Sequence, residues 1–318
     1  MSSPAYTLRM LLPGILATVV LLLVACQGAD SGPPVDETGQ LTLDALEGGC
    51  EPAERWGGFA VEADESYALV TGIVRDGVVP ADVLDRVVSS GECTLWMRTN
   101  PYCSPACASD ETCNDDGECI PYPLGQDLGT VSVQGLLDPV AMEPVEPDKS
   151  YFDTSLPNPP WEEGSVIRLT AGNLVLEGVG LAGFIPDEAA WTLVPNTPVT
   201  LTWPPPPAGA ASTVHLELTI DQHGSTPLML TCEFADDGAG EVPAELVQQM
   251  VTSGVTGYPN GRIGRRTVDK AAWGDGCVDL VVTQPRSPDV TVSGFYPCTI
   301  DDDCPDGLTC DQDLEVCT

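Results

Sequence analysis

The chain has 318 residues, with 12 lysines and arginines against 48 aspartates and glutamates, a formal net charge of −36. An acidic excess of this size excludes nucleic acid and anionic bilayer surfaces as direct partners, because both would be repelled. Hydrophobic residues make up 42% and charged residues 19%, so the chain can bury a core and is not an acidic disordered one.

Residues 1–25 read as a secretory leader. Arg9 is the one charge before residue 26, and an apolar run follows it. A basic start, a short apolar core and small residues at the end are the parts of a signal peptide. The core falls short of the ~20 apolar residues that a spanning helix needs. Leu23-Val24-Ala25-Cys26 resembles the lipobox of bacterial lipoproteins. That resemblance implies that Cys26 is diacylated, becomes the mature N-terminus and gains an N-acyl chain such as palmitate. The membrane is then a partner through the anchor, since several chains hold where one is marginal. Gln27, standing where aspartate would retain a lipoprotein, implies the outer membrane.

Setting Cys26 aside leaves twelve of the 13 cysteines: Cys50, Cys93, Cys103, Cys107, Cys113, Cys119, Cys232, Cys277, Cys298, Cys304, Cys310 and Cys317. An even set in an exported chain reads as disulfides. The parity agrees with the lipobox, since without acylation one thiol is left over. Two bridges are expected inside each cluster, with Cys50 paired to Cys93 and Cys232 to Cys277.

After the leader, residues 26–49 form a Gly-, Pro- and acid-containing tether. Residues 50–100 read as a small α+β module. Ser66–Val74 alternates as a strand. Pro80 opens a short helix whose Val83, Leu84, Val87 and Val88 share a face, with Gly91 past its end. Thr94–Arg98 is a second strand. The run from Val79-Pro80-Ala81-Asp82 to Ser90-Gly91 recurs as Val242-Pro243-Ala244-Glu245 to Ser253-Gly254. Either the two segments share a strand–turn–helix design or both converge on a well-capped helix. Residues 101–123 are a cysteine cluster with too little apolar content for a core.

Residues 124–297 carry many short strands between Gly/Pro turns, which predicts an antiparallel β-sandwich. In Thr213–Ile220, Val214, Leu216, Leu218 and Ile220 face in, while Thr213, His215, Glu217 and Thr219 face out. Residues 298–318 are a second cysteine cluster in an acidic tail. The fold class is therefore mainly β, a β-sandwich domain with a smaller α+β module and two disulfide-rich clusters.

The chain resembles cysteine-rich lipoproteins of myxobacteria and their relatives. The lipobox, the tail pattern Cys-x5-Cys-Pro-x-Gly-x2-Cys ending at Cys317, and Cys232-Glu233-Phe234-Ala235-Asp236-Asp237-Gly238 before Val242-Pro243 carry the likeness. It implies location and architecture, and brings no catalytic residues with it.

Several polar groupings are candidates for chemistry. His215, Glu217, Asp221 and His223 offer two imidazoles and two carboxylates to Zn²⁺ or another divalent metal; a metal-dependent hydrolase would use them so. The plainer reading is an exposed strand face and a turn. Asp301, Asp302, Asp303, Asp306, Asp311 and Asp313 could hold Ca²⁺, though not at EF-hand spacing, or simply be solvated. The cysteine clusters lack the Cys-x2-Cys pairs typical of zinc sites. Arg262, Arg265, Arg266 and Lys270 gather into a patch for an anionic glycan or envelope protein, or balance local carboxylates. No catalytic residue is assigned and no resident cofactor is expected. The expected role is a lipid-anchored, non-catalytic binding module of the cell envelope, with a purely structural envelope protein as a further alternative.

Overall fold

The computed structural model describes residues 45–98, 101–208, 210–220 and 228–318. The leader, Cys26, tether residues 26–44, Asp221 and His223 lie outside the described residues. Strands dominate the rest. In chain order they are β1 (Arg55–Ala63), β2 (Ala68–Val74), β3 (Leu84–Ser90), β4 (Cys93–Arg98), β5 (Glu111–Cys113), β6 (Cys119–Pro121) and β7 (Val131–Gln134). There follow β8 (Val140–Met142), β9 (Tyr151–Asp153), β10 (Val166–Ala171), β11 (Leu174–Val179), β12 (Ala190–Leu193), β13 (Val199–Thr202), β14 (Thr213–Thr219) and β15 (Leu228–Ala235). The last are β16 (Ala239–Val242), β17 (Asn260–Trp273), β18 (Gly276–Arg286), β19 (Asp289–Val292), β20 (Cys310–Asp311) and β21 (Val316–Cys317). The α-helix among the described residues is α1 (Ala244–Thr252), and no described helix is long and apolar enough to cross a membrane.

The large sheet runs β3-β4-β15-β14-β17-β18-β1-β2-β9, with β19 beside β17 and β12 beside β19. It is mixed where the sequence pointed to antiparallel pairing throughout: β1 runs parallel to β18, and β12 parallel to β19. A second, antiparallel sheet, β11-β10-β7-β8, packs over the β18–β1–β2 region and completes a sandwich. Small ribbons pair β13 with β16, β5 with β6, and β20 with β21.

Register explains how one sheet face carries two cores. Val214 pairs with Arg265, which pairs with Gln284, and Thr267 pairs with Val282. Directly paired residues point to the same face, so the inward sides of β14, β17 and β18 are continuous. At one end Leu95, Leu216, Leu230 and Phe234 lie under Leu246, Val247 and Met250 of α1 and under Trp203. At the other, Phe59, Val61, Val70, Leu280 and Val282 meet Val133, Leu169 and Leu176 of the second sheet. The strand β17 spans both. Between its Ile263 and Ala271, which belong to different cores, the inward positions are polar: Arg265, Thr267 and Asp269.

Those three side chains fasten the covering layer to the sheet. Thr267 Oγ1 accepts the Val179 N–H at 3.2 Å, and Asp269 Oδ2 accepts the Glu177 N–H at 2.8 Å. The free edge of β11 is thereby satisfied by side chains in place of another strand. Arg265 Nε donates to Asp236 Oδ2 at 2.6 Å, its Nη2 donates to Pro204 O at 2.6 Å, and its Nη1 donates to Gly183 O. Asp236 also accepts from Trp203 Nε1 at 2.9 Å and Ser212 Oγ at 2.5 Å. The guanidinium lies 5.4 Å from the Phe184 ring centre. A buried charge pair tolerates such a place only when fully hydrogen-bonded.

Three expectations need correction. The helix expected after Pro80 is a single 3-10 turn, Pro80–Asp82, followed by β3. Val87, Val88, Ser89 and Ser90 are poor helix formers, and Gly91, at φ +57°, turns β3 straight back onto β4. The second copy, with Gln248, Gln249 and Met250 in the matching turns, does form α1. Residues 50–100 are not a separate module: β3 and β4 extend the sheet beyond β15, while β1 and β2 extend it beyond β18. Finally, Cys50 bonds to Cys277 and Cys93 to Cys232. The sheet order decides this, since Cys93 and Cys232 are direct cross-strand partners and Cys277, near the start of β18, pairs with Arg55 at the start of β1. The clusters close internally as expected, Cys103–Cys113 with Cys107–Cys119, and Cys298–Cys310 with Cys304–Cys317.

Candidate functional site

The face of the large sheet turned away from both cores carries polar and small side chains. The alternation of β14 places Thr213, His215 and Glu217 there, as the sequence predicts. Their neighbours come from strands distant in the chain. Glu233 Oε2 lies 3.0 Å from His215 Nδ1. Arg266 forks onto both oxygens of the same carboxylate, and Thr213 Oγ1 donates to it as well. Burial works to raise the Glu233 carboxyl, but the His215 hydrogen bond and the Arg266 charge outweigh it and hold it down at about 2. With its oxygens occupied in this way, the group is a poor base.

A second group lies beside it. Arg262 Nη2 is 2.5 Å from Glu62 Oε2, and the Tyr67 hydroxyl donates to Glu62 Oε1 at 2.8 Å. That hydrogen bond, with burial and the Glu62 charge, pushes the Tyr67 phenol up to about 12.

These contacts redistribute the expected sites. His215 and Glu217 share a face, but beside His215 stands Glu233 already paired with Arg266, a fixed cation that disfavours a metal ion nearby. Asp221 and His223 are outside the described residues. Among the described residues, the convergent sets of three or more metal-ligand atoms are Cys103, Cys107 and Cys119, and Cys298, Cys304 and Cys317. All six sulfurs are in disulfides and are not the thiolates a metal takes. In the tail, the carboxylates fold the knot. Asp303 Oδ2 accepts the N–H groups of Thr299 and Ile300 and the Thr299 hydroxyl. Those bonds hold the Asp303 carboxyl below the usual carboxylate range. Asp301 caps the Cys310 N–H, and Asp311 those of Asp313 and Leu314.

The basic patch is divided. Arg262 and Arg266 lie on the open face, Arg265 points inward and is 2% exposed, and Lys270 Nζ donates to Gly49 O at 3.1 Å. Each arginine has its own carboxylate, and with Arg265 buried the four do not form one continuous basic surface.

A trough of about 520 Å³ occupies the same open face near β9. Register sets its floor: Phe152 pairs with Thr71, Thr71 with Ala60, and Ala60 with Val281. Arg55 and Arg75 stand on its rim with Asp148 and Ser150. Arg55 Nη2 donates to Asp279 Oδ1 at 2.9 Å across Gly58. A Cβ on Gly58 would fall 2.1 Å from that oxygen and 2.8 Å from Arg55 Nη2, so only glycine leaves room for this pair. Arg75 has no described side-chain partner. A smaller cavity of about 180 Å³, lined by Gly180, Ala182, Pro207 and Ala211 among others, holds Glu163 as its one titratable lining residue and offers little chemistry.

Sequence reasoning missed Arg55, Arg75, Phe152 and Asp236. The first three meet only through a register of strands far apart in the chain, and Asp236 looks like part of an Asp-Asp-Gly turn. No protein-family model, curated protein or solved structure matches the chain.

Proposed function

We propose that this is a lipid-anchored, non-catalytic binding module of the cell envelope, held outside the cytoplasm by Cys26 and binding through the open face of its large sheet. The cysteine pairing carries the reading. Twelve of the 13 cysteines form six bridges, leaving the one that ends the lipobox pattern. Six disulfides call for an oxidising compartment. The likeness to cysteine-rich lipoproteins supports the same placement in the outer membrane. Saturation of Glu233 by three donors supports binding over catalysis.

The test is labelling of the full chain in cells with a clickable palmitate analogue, followed by membrane fractionation, for the wild type and Cys26→Ala. The wild type should label and sediment with outer membranes; the variant should do neither. An unlabelled wild type, or a variant that still sediments, would refute the anchor. Ligand capture by the open face is read separately, with the full chain in detergent.

A further inference from the structure

We propose that the trough bounded by Arg55, Arg75 and Phe152 binds a carboxylate-bearing sugar ring of an acidic glycan. The inference rests on the open sheet face being the binding surface, and it names the ligand class.

Charge makes the first argument. With 48 acids against 12 bases, most described arginines are paired with a carboxylate; Arg75, Arg86 and Arg98 are not, and of these three Arg75 lines the trough. Arg262, Arg265, Arg266 and Arg168 all have acidic partners; Arg75 has none among the described residues. Arg55 pairs through Nε and Nη2, leaving Nη1 without a described partner on a side chain that is 48% exposed. Both arginines line the trough and also an adjoining recess of about 190 Å³. Two guanidinium groups at one junction suit a carboxylate, which the arginine fork binds in two-pronged fashion.

Shape and polarity make the second. The floor from Thr71 through Ala60 to Val281 is flat and built of small or apolar groups, as a sheet face gives. Phe152, 55% exposed, stands at its edge as a surface for the C–H face of a pyranose. Thr71, Ser150 and Asp148 supply hydroxyl and carboxylate partners for ring hydroxyls. An apolar bed with a few fixed polar groups is the common form of a small-ligand site.

Competing ligands fit less well. Within about one screening length, roughly 8 Å in physiological salt, the acidic surface repels a densely charged polyanion, whereas a chain with one carboxylate to each sugar ring brings fewer charges against it. For an acidic peptide the adjacent edge is β9, and its three residues are too few to hold a strand by backbone pairing.

The experiment is calorimetric titration of the full-length protein in detergent with tetragalacturonate, its methyl-esterified neutral form, and a hexaglutamate peptide. The expected result is binding of tetragalacturonate, weakened at least tenfold by esterification and by Arg75→Gln, weakened by Ala60→Gln, which fills the floor, and unchanged in Arg168→Gln, on the second sheet. The thermal melt of Arg75→Gln should match the wild type, since among the described residues Arg75 has no side-chain partner to lose. Absence of heat at millimolar sugar, equal binding of the ester, or tighter binding of hexaglutamate would each overturn the proposal. None of these outcomes bears on acylation of Cys26, so the anchor and the ligand class fail separately.

Discussion

Arg265 Nε sits 2.6 Å from Asp236 Oδ2, and both side chains are almost wholly buried, at 2% and 3% exposure, between the two cores of one sheet face. The pair gathers the backbone at Gly183 and Pro204 and the side chains of Trp203 and Ser212. Asp236→Ala should therefore leave a buried cation and two donors without an acceptor. The expected loss is about 3–5 kcal/mol in urea unfolding with the disulfides intact. Replacing both partners with apolar residues should cost less than the single change. Equal losses would show that the pair is not the fastening point.

Acid should act on the open face through Glu233. Its carboxyl titrates at about 2 in the fold, against about 4.3 in an unfolded chain. Between those values the unfolded chain binds more protons, so stability rises with pH there and is lost as the medium becomes more acidic. The contribution is complete above about pH 5 and is lost as pH drops towards 2. Because the side chain is 39% exposed, water screens it and the effect is modest. Melting temperatures at pH 6 and pH 2.5 should fall further for the wild type than for Glu233→Gln; parallel falls would contradict this.

The bridges can be read directly. A non-reducing digest should yield peptides joining Cys50 to Cys277 and Cys93 to Cys232. A peptide joining Cys50 to Cys93 would contradict the sheet order. These two bridges span 227 and 139 residues. Removing either as a Cys-to-Ala pair should cost about 2–5 kcal/mol.

Gly58 is a sharper test of the open face than any charged residue. Gly58→Ala should displace the Arg55–Asp279 pair and cost roughly 1–3 kcal/mol, as overpacking does. Asp279 is 5% exposed, so its carboxylate would be left buried without its cation. A variant as stable as the wild type would mean that the pair can shift aside.

Local pattern revealed the elements that are amphipathic in themselves. The alternation of Thr213–Ile220 located β14 and its faces, and Pro243 with the apolar positions after it located α1. It misread the turn after Pro80, because Val83, Leu84, Val87 and Val88 suit a helix face or a twisted edge strand equally, and the neighbour β4 decided. It passed over β1, whose Gly57, Gly58 and Ala60 blur the alternation of an element buried between β18 and β2. The bridges were countable but not assignable, since pairing follows strand order. The trough was invisible for the same reason: Phe152, Thr71, Ala60 and Val281 are one row in space and four separate places in the chain.

The Cys50–Cys277 bond has a mechanical consequence. Tension applied to the chain before Cys50 reaches that covalent link before it reaches any hydrogen bond of β1. It passes directly into β18, which is held by β1 on one side and by the 14 residues of β17 on the other. The strands beyond are shielded from peeling. A molecule tugged from its N-terminal side would bear the load on its longest strands and keep the arginine-rimmed face in shape.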